Sequence, residues 1–182
     1  EPTKMHSPAA FRVNGRQVEL SKGPGKTWTA AFADAAIALA RSDPRVIALT
    51  AAMPDGTGLS KFEAQLPDRY MDTGICESHL TGMAAGLCKG GLRPIAAIYS
   101  TFIQRAFDQA WQEVALNGLP VIFCMDRAGL VGDDGAVHHG FCDQAFLRPL
   151  PGMVLMAPSD EAEPNRPTRL PRPLAPPAAL RY

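Results

Sequence analysis

Apolar and polar positions fall in blocks along the chain, and the period of the blocks switches regularly between helical and extended spacing. Residues 27–43, "TWTAAFADAAIALARSD", place apolar side chains at helical intervals on an Ala-rich background, with Thr27 or Thr29 available as cap. "RVIALT" (45–50) is a short unbroken apolar run, which predicts a strand covered on both faces. The Gly/Pro/Asp-rich stretch "AAMPDGTGLSKF" that follows reads as a loop. The alternation then repeats with a brief strand in "RYMDTG" (69–74) and a helix over 76–89 that Gly90 and Gly91 close. Next come a strand in "RPIAAIYS" (93–100), a helix over 101–118 and a strand in "PVIFCM" (120–125). A long Gly/Asp/His loop over 126–142 leads to a last strand in "GMVLMAP" (152–158).

Strands alternating with helices of this length predict right-handed crossovers. The expected fold is α/β, a mostly parallel sheet with helices on both faces. Ligands of such sheets gather at the C-terminal ends of the strands. Those ends carry "AAMPDG", "DTGICE", "YSTF" and "DRAGL…HHG".

The flanks break the pattern. Residues 1–26 are polar, punctuated by Pro and Gly, and read as a linker or arm. "PSDEAE" opens as a capped helix, with Ser159 as cap and acids in its first turn. Six prolines then fall at 164, 167, 171, 173, 176 and 177, which no helix or central strand accommodates. The expected organisation is an arm (1–26), a folded domain (27–163) and a Pro-rich tail (164–182) outside the fold, foreign to it through a shifted reading frame or a truncated gene, with a natural disordered extension as the alternative.

Composition narrows the class without choosing a function. The 182 residues suffice for one domain with a real core, and 46% hydrophobic with 20% charged residues is the balance of a globular protein. Eighteen basic and eighteen acidic residues cancel, so no global field points to nucleic acid or an anionic membrane. No apolar run approaches the roughly 20 residues of a membrane span, and no charged segment followed by an apolar stretch marks a signal peptide. Cys76, Cys88, Cys124 and Cys142 are scattered without a C-x-x-C pair, which fits buried free thiols in a reducing cytoplasm rather than zinc or disulfides.

Neither common nucleotide fingerprint is present, and no G-x-S-x-G elbow presents a nucleophilic serine. Four features remain. Glu77 follows a strand at the mouth of the sheet, although an acid in a helix's first turn also simply complements the dipole. "YSTF" sets two aromatics at another strand end. "QRAFDQ" places Arg105 and Asp108 one turn apart, where a surface ion pair is the plain reading. "DRAGLVGDDGAVHHG" gathers Arg127, Asp133, Asp134, His138 and His139 in one glycine-rich loop, a set suited to phosphate binding and proton transfer. The histidines lack further neighbours at metal-ligand spacing, so no metal site is expected.

Together these stretches resemble the pyrimidine-binding domain of the 1-deoxy-D-xylulose-5-phosphate synthases, thiamine-diphosphate enzymes of the transketolase superfamily. The motifs that carry the resemblance are "AAMPDGTGLSKF", "PDRYMDTGICESH", "AAGLCKGGLRPIAAIYSTFIQRAFDQ", "EVALNGLP", "DRAGLVGDDGAVHHG" and "PGMVLMAPSDEAE", spanning about 27–163. The resemblance implies the thiamine-diphosphate-binding fold, and it implies that Glu77 hydrogen-bonds to N1′ of the cofactor's aminopyrimidine. It implies that Phe102 packs against that ring and that Tyr99 and Arg127 meet the acceptor's phosphate. Asp134 and His138 match loop residues that contact substrate or intermediate, His138 with a catalytic part, and Arg105 matches a substrate-binding arginine near the site. It further implies pyruvate and D-glyceraldehyde 3-phosphate as substrates, cytoplasmic location, and a homodimer in the full enzyme. Mg2+ and the diphosphate are expected on a separate domain absent from this chain, as is a C-terminal domain.

Where the family reads Gly-Ile-Ala-Glu-Gln-His, this chain reads "GICESH", with Cys76 and Ser78 in place of Ala and Gln. The carboxylate is kept. With half a cofactor site the isolated chain is expected to be inactive. A subunit of a split enzyme, or a non-catalytic binding module on the same fold, are the alternatives.

Overall fold

The computed structural model describes residues 11–20, 27–158 and 176–182. Phe11–Asn14 (β1) and Gln17–Leu20 (β2) form a small antiparallel hairpin within the segment expected as an arm. The first helix, α1 (Trp28–Ser42), starts where the periodicity predicts, because the Thr27 hydroxyl accepts the Ala30 N–H at 3.2 Å. Its stripe of Phe32, Ala36, Ile37 and Leu39 is buried.

Six strands build the main sheet: β3 (Val46–Thr50), β4 (Tyr70–Asp72), β5 (Arg93–Tyr99), β6 (Ile122–Asp126), β7 (Val154–Met156) and β8 (Ala178–Arg181). Their order is β4-β3-β5-β6-β8-β7 and every neighbouring pair is parallel. Val46, Ala48, Ile95, Ala97, Ile122 and Cys124 enter one core with α1 and with Leu59 and Phe62 of α2 (Leu59–Gln65). Ile47, Leu49, Ala96, Ile98, Phe123 and Met125 enter a second core on the opposite face. There they meet Leu80 and Ala84 of α3 (Glu77–Lys89) and Ile103, Ala106, Ala110 and Val114. Side chains alternate across a strand, so a sheet covered on both faces needs the unbroken apolar runs seen in the sequence. After β4 the chain crosses over β3 to place β5 on its other side, a reversal of the kind at which open α/β sheets bind ligands.

Two expectations are corrected. The helix over 101–118 is instead composite: 3-10 turns at Ile103–Ala106, an α turn at Phe107–Gln109 and π geometry at Ala110–Ala115, here together called α4 (residues 103–115). The Phe102 N–H bonds to the Tyr99 carbonyl and the Arg105 N–H to the Phe102 carbonyl, tightening the exit from β5. Second, the end of the Pro-rich tail lies within the fold. Pro176 and Pro177 stop short of the ladder, and Ala178–Arg181 insert between β6 and β7 with Ala178 and Ala179 fully buried. Proline removes a ladder donor inside a central strand but is tolerated just before it or near its start, as Pro94 of β5 also shows. Tyr182 completes the segment, stacked on Phe32 with centroids 5.5 Å apart. The capped helix expected at Ser159 and the tail up to residue 175 lie outside the described residues.

Buried thiols are found only in part: Cys124 is buried and Cys88 half-buried, while Cys76 and Cys142 are exposed. Burial pushes the Cys88 thiol up to about 11 and Cys124 higher still. No helix among the described residues is long and apolar enough to cross a membrane.

Asp43 ends α1 and joins it to β5. Its carboxylate pairs with Arg45 at 2.8 Å and Arg93 at 3.0 Å. The Arg45 hydrogen bond, above all, holds the Asp43 carboxyl well below the usual carboxylate range. A depressed folded-state pKa gives stability that is complete above the unfolded value of about 4 and lost as pH falls through the folded one. Asp43→Asn should therefore lower the urea midpoint at pH 7 and converge on the parent as pH falls toward about 2. A pH-independent difference would rule out the charge pair as its source.

Candidate functional site

The C-terminal ends of β3, β5 and β6, the start of α3 and the loop after β6 bring the sequence's candidate residues into one cluster. Glu77 is the first residue of α3, yet its side chain is only 5% exposed. A first-turn acid that merely answers the helix dipole has no need of such burial. Its Oε1 accepts from Arg105 Nη1 at 2.5 Å, so the partner of Arg105 is Glu77 rather than Asp108, which accepts instead from Gln112. Ser78, one of the two departures from the family motif, donates to the Arg105 carbonyl at 2.8 Å and ties α3 to the turn after β5. Cys76, the other, is exposed at the helix cap.

The tight turn leaving β5 sets Tyr99 and Phe102 face to face, centroids 5.5 Å apart and planes 17° from parallel. A guanidinium covers each ring: Arg105 lies 4.8 Å from the Phe102 centroid and Arg127 lies 4.2 Å from that of Tyr99. His138 turns its edge to both rings, at 5.6 Å from Phe102 and 6.1 Å from Tyr99. Its Nδ1 is buried without a hydrogen-bond partner. Burial raises the Tyr99 hydroxyl pKa, with Arg127 opposing. Gly56 gives that hydroxyl room, since a Cβ there would fall 1.9 Å from it.

Arg127 Nε donates to Asp134, and Nη1 donates to Asp126 Oδ1 at 3.0 Å and to the Gly56 carbonyl at 2.9 Å. The loop that carries Asp134 and His138 is pinned at both ends. Gly129 and Gly140 exchange two backbone hydrogen bonds, and Gly140 passes so close to Ser100 and the Arg127 carbonyl that a Cβ would overlap both. Beyond the loop, α5 (Asp143–Leu147) begins with a buried Asp143 that pairs with Arg181 of β8 at 2.9 Å. His139 makes different contacts: its Nδ1 accepts the Val131 N–H and its ring meets Phe141.

The structure thus unites Glu77, Tyr99, Phe102, Arg105, Arg127, Asp134 and His138. Sequence reasoning missed Asp126, Thr29 and Gly56. Asp126 hides in the run "FCMDR", and only its position at a strand's C-terminal end marked it. A buried carboxylate and an aromatic ring, joined here through Arg105, are the two kinds of group that an aminopyrimidine takes, one at a ring nitrogen and one against the plane. An unpartnered His138 Nδ1 beside them offers a further polar contact. Among the described residues no group of three or more His, Cys, Asp or Glu is arranged to hold a metal ion.

A six-stranded parallel sheet covered on both faces, with a buried glutamate and stacked aromatic rings at its strand ends, defines an open α/β domain. Residues 25–169 match the family model of the transketolase pyrimidine-binding domain, and the chain belongs to that family. It is 52% identical over 164 residues to the 1-deoxy-D-xylulose-5-phosphate synthase of Gloeobacter violaceus, covering 90% of this chain and 26% of that protein. To the Heliobacterium modesticaldum synthase it is 46% identical over 181 residues, covering all of this chain and 28% of that one. The chain thus spans about a quarter of the length of these relatives. A solved structure of a "split gene transketolase, inactive beta4 tetramer" superposes with a TM-score of 0.74 at 29% identity, covering 86% of this chain and 50% of that one. Within the family, the sequence groups with the pyrimidine-binding domains of 1-deoxy-D-xylulose-5-phosphate synthases.

Proposed function

We propose that this chain supplies the aminopyrimidine half of a thiamine-diphosphate site. The parent enzyme condenses pyruvate with D-glyceraldehyde 3-phosphate to 1-deoxy-D-xylulose 5-phosphate and CO2. The observation that carries the reading is the burial of Glu77 at the start of α3, where Arg105 links its carboxylate to the Phe102 ring. Bound there, the cofactor supplies a nucleophilic carbon and an electron sink. Glu77 would hold the ring at its nitrogen N1′, sharing a proton with it away from water. Phe102 orients the ring plane. To reach N1′, Glu77 has an Oε2 besides the Oε1 that Arg105 occupies.

Arg127 receives the acceptor's phosphate as a charged donor, with Tyr99 beneath it. Asp134 steadies Arg127, and His138, held at the edge of both rings, takes the proton-transfer role toward the substrate. Arg105, half-exposed beside Glu77, meets the substrate carboxylate. Mg2+ and the diphosphate are held by a second domain, and the assembled enzyme is a cytoplasmic homodimer that feeds isoprenoid, thiamine and pyridoxal synthesis. The likeness to a split-gene transketolase favours a second form of this reading, in which the diphosphate domain arrives on a separate chain.

Mixing the chain with thiamine diphosphate, Mg2+ and pyruvate should release no CO2. Adding the separately expressed diphosphate domain of the Gloeobacter violaceus relative should restore release. CO2 from the chain alone would overturn the half-site reading, and silence from the pair would overturn the synthase reading.

A further inference from the structure

We infer that Asp126 is the positioning residue that fixes Arg127 as a phosphate receptor, an inference that rests on the phosphate reading of Arg127 above. Arg127 adopts φ +60°, a left-handed backbone that a long side chain rarely takes. Such a conformation persists where the surroundings over-determine it, and it characteristically marks a functional position. Here the surroundings are specific. Of the five guanidinium N–H groups, Nε donates to Asp134 while Nη1 donates to Asp126 and the Gly56 carbonyl. The Nη2 donors have no protein partner among the described residues, which leaves one edge of the fork for an incoming oxyanion.

Asp126 is itself held. It is the last residue of β6, 5% exposed, and its Oδ2 accepts the Thr29 hydroxyl at 2.6 Å while Oδ1 accepts from Arg127. Thr29 lies in the first turn of α1, and the loop after β3 passes so close that a Cβ on Gly58 (φ +74°) would fall 3.1 Å from the Thr29 methyl. Two elements therefore meet at one carboxylate, the β6 end and the α1 start, and the loop that offers the Gly56 carbonyl joins them at the Arg127 guanidinium. A buried carboxylate that only stabilised the fold would have no reason to commit an oxygen to a residue in a left-handed conformation. In this arrangement the oxygen sets the rotation of the guanidinium over Tyr99 and selects which edge stays open.

The test uses the full chain in four versions: parent, Asp126→Asn, Thr29→Val and Arg127→Ala. Each is titrated with D-glyceraldehyde 3-phosphate and with D-glyceraldehyde by calorimetry. Rotation of the Arg127 guanidinium about Nε–Cζ is followed by 15N NMR. The parent should prefer the phosphorylated aldehyde, and Arg127→Ala should abolish the preference. Asp126→Asn should reduce it by about tenfold, the scale of one charge-assisted hydrogen bond, and speed guanidinium rotation while leaving affinity for the unphosphorylated aldehyde unchanged. Thr29→Val should shift both readouts the same way by a smaller factor, and it decides the matter if Asp126→Asn does not fold. Loss of preference in Arg127→Ala alone, with Asp126→Asn or Thr29→Val like the parent in both readouts, would overturn the positioning role while the phosphate reading stands. A parent that does not distinguish the two aldehydes, or an Arg127→Ala that still does, would overturn the phosphate reading and this inference together.

Discussion

Glu77→Gln, placed in a full-length synthase carrying this segment, is expected to lower turnover by about 10²–10⁴-fold, the range that a positioned acid–base group contributes. The amide keeps the size and the burial of the side chain but cannot share a proton with a ring nitrogen. It also leaves Arg105 without its anionic partner, so that the guanidinium now faces a neutral oxygen. A half-exposed guanidinium tolerates this loss, because water screens what the carboxylate no longer neutralises. The fold should therefore survive, and urea unfolding of the variant chain should stay within about 1 kcal/mol of the parent. The measurement is steady-state CO2 release beside that unfolding curve. Full activity in Glu77→Gln would remove the carboxylate from the chemistry, and a collapse of stability would make its role structural.

The second large effect concerns residues 176–182. Deleting them should abolish the cooperative unfolding transition seen by far-UV circular dichroism. The removed segment pairs with β6 on one side and β7 on the other, so both ladders open together. Asp143, almost fully buried, loses Arg181, and breaking such a pair typically costs about 3–5 kcal/mol because one charge stays buried alone. Burial of Leu180 and the stacking of Tyr182 on Phe32 vanish as well. A domain of ordinary stability, about 5–15 kcal/mol, cannot absorb the sum. Leu180→Ala alone should cost about 2–5 kcal/mol by leaving a cavity in the core. An unchanged transition in the deleted chain would mean that β8 is dispensable.

Much of this architecture is legible in the sequence, for identifiable physical reasons. The runs "RVIALT" and "PVIFCM" announce strands because a sheet covered on both faces favours apolar side chains in both directions. Thr27 announces α1 because its hydroxyl answers an N–H that the helix leaves unpaired. Segment 103–115 misleads because its composition suits a regular helix, while the tight exit from β5 is dictated by packing that no local pattern encodes. The tail misleads because its prolines are dense. The four residues that matter, "AALR", follow the last of them and are too few to show a period.

In the site, Glu77, Tyr99, Phe102, Arg127, Asp134 and His138 are legible through motif resemblance, and the structure adds their contacts. For Arg105 the local spacing points to Asp108. Its actual partner is 28 positions away, a separation at which periodicity carries no information. Asp126 escapes because an acid at a strand end resembles any surface acid until Thr29, 97 positions earlier, is seen to reach it.

The place of β8 in the sheet also sets an order of events during synthesis. β6 is complete once residue 126 has emerged, yet one of its two neighbours is not made until residue 181, some 55 residues later. Through that interval the nascent chain carries an open apolar ladder edge, of the kind that invites pairing with other chains and that chaperones occupy. Contacts of such long range slow the closing step relative to the assembly of β3, β5 and α3. The site loop is tied to that late strand through Asp143 and through the Ala128 N–H to the Tyr182 carbonyl, so it gains these two contacts last.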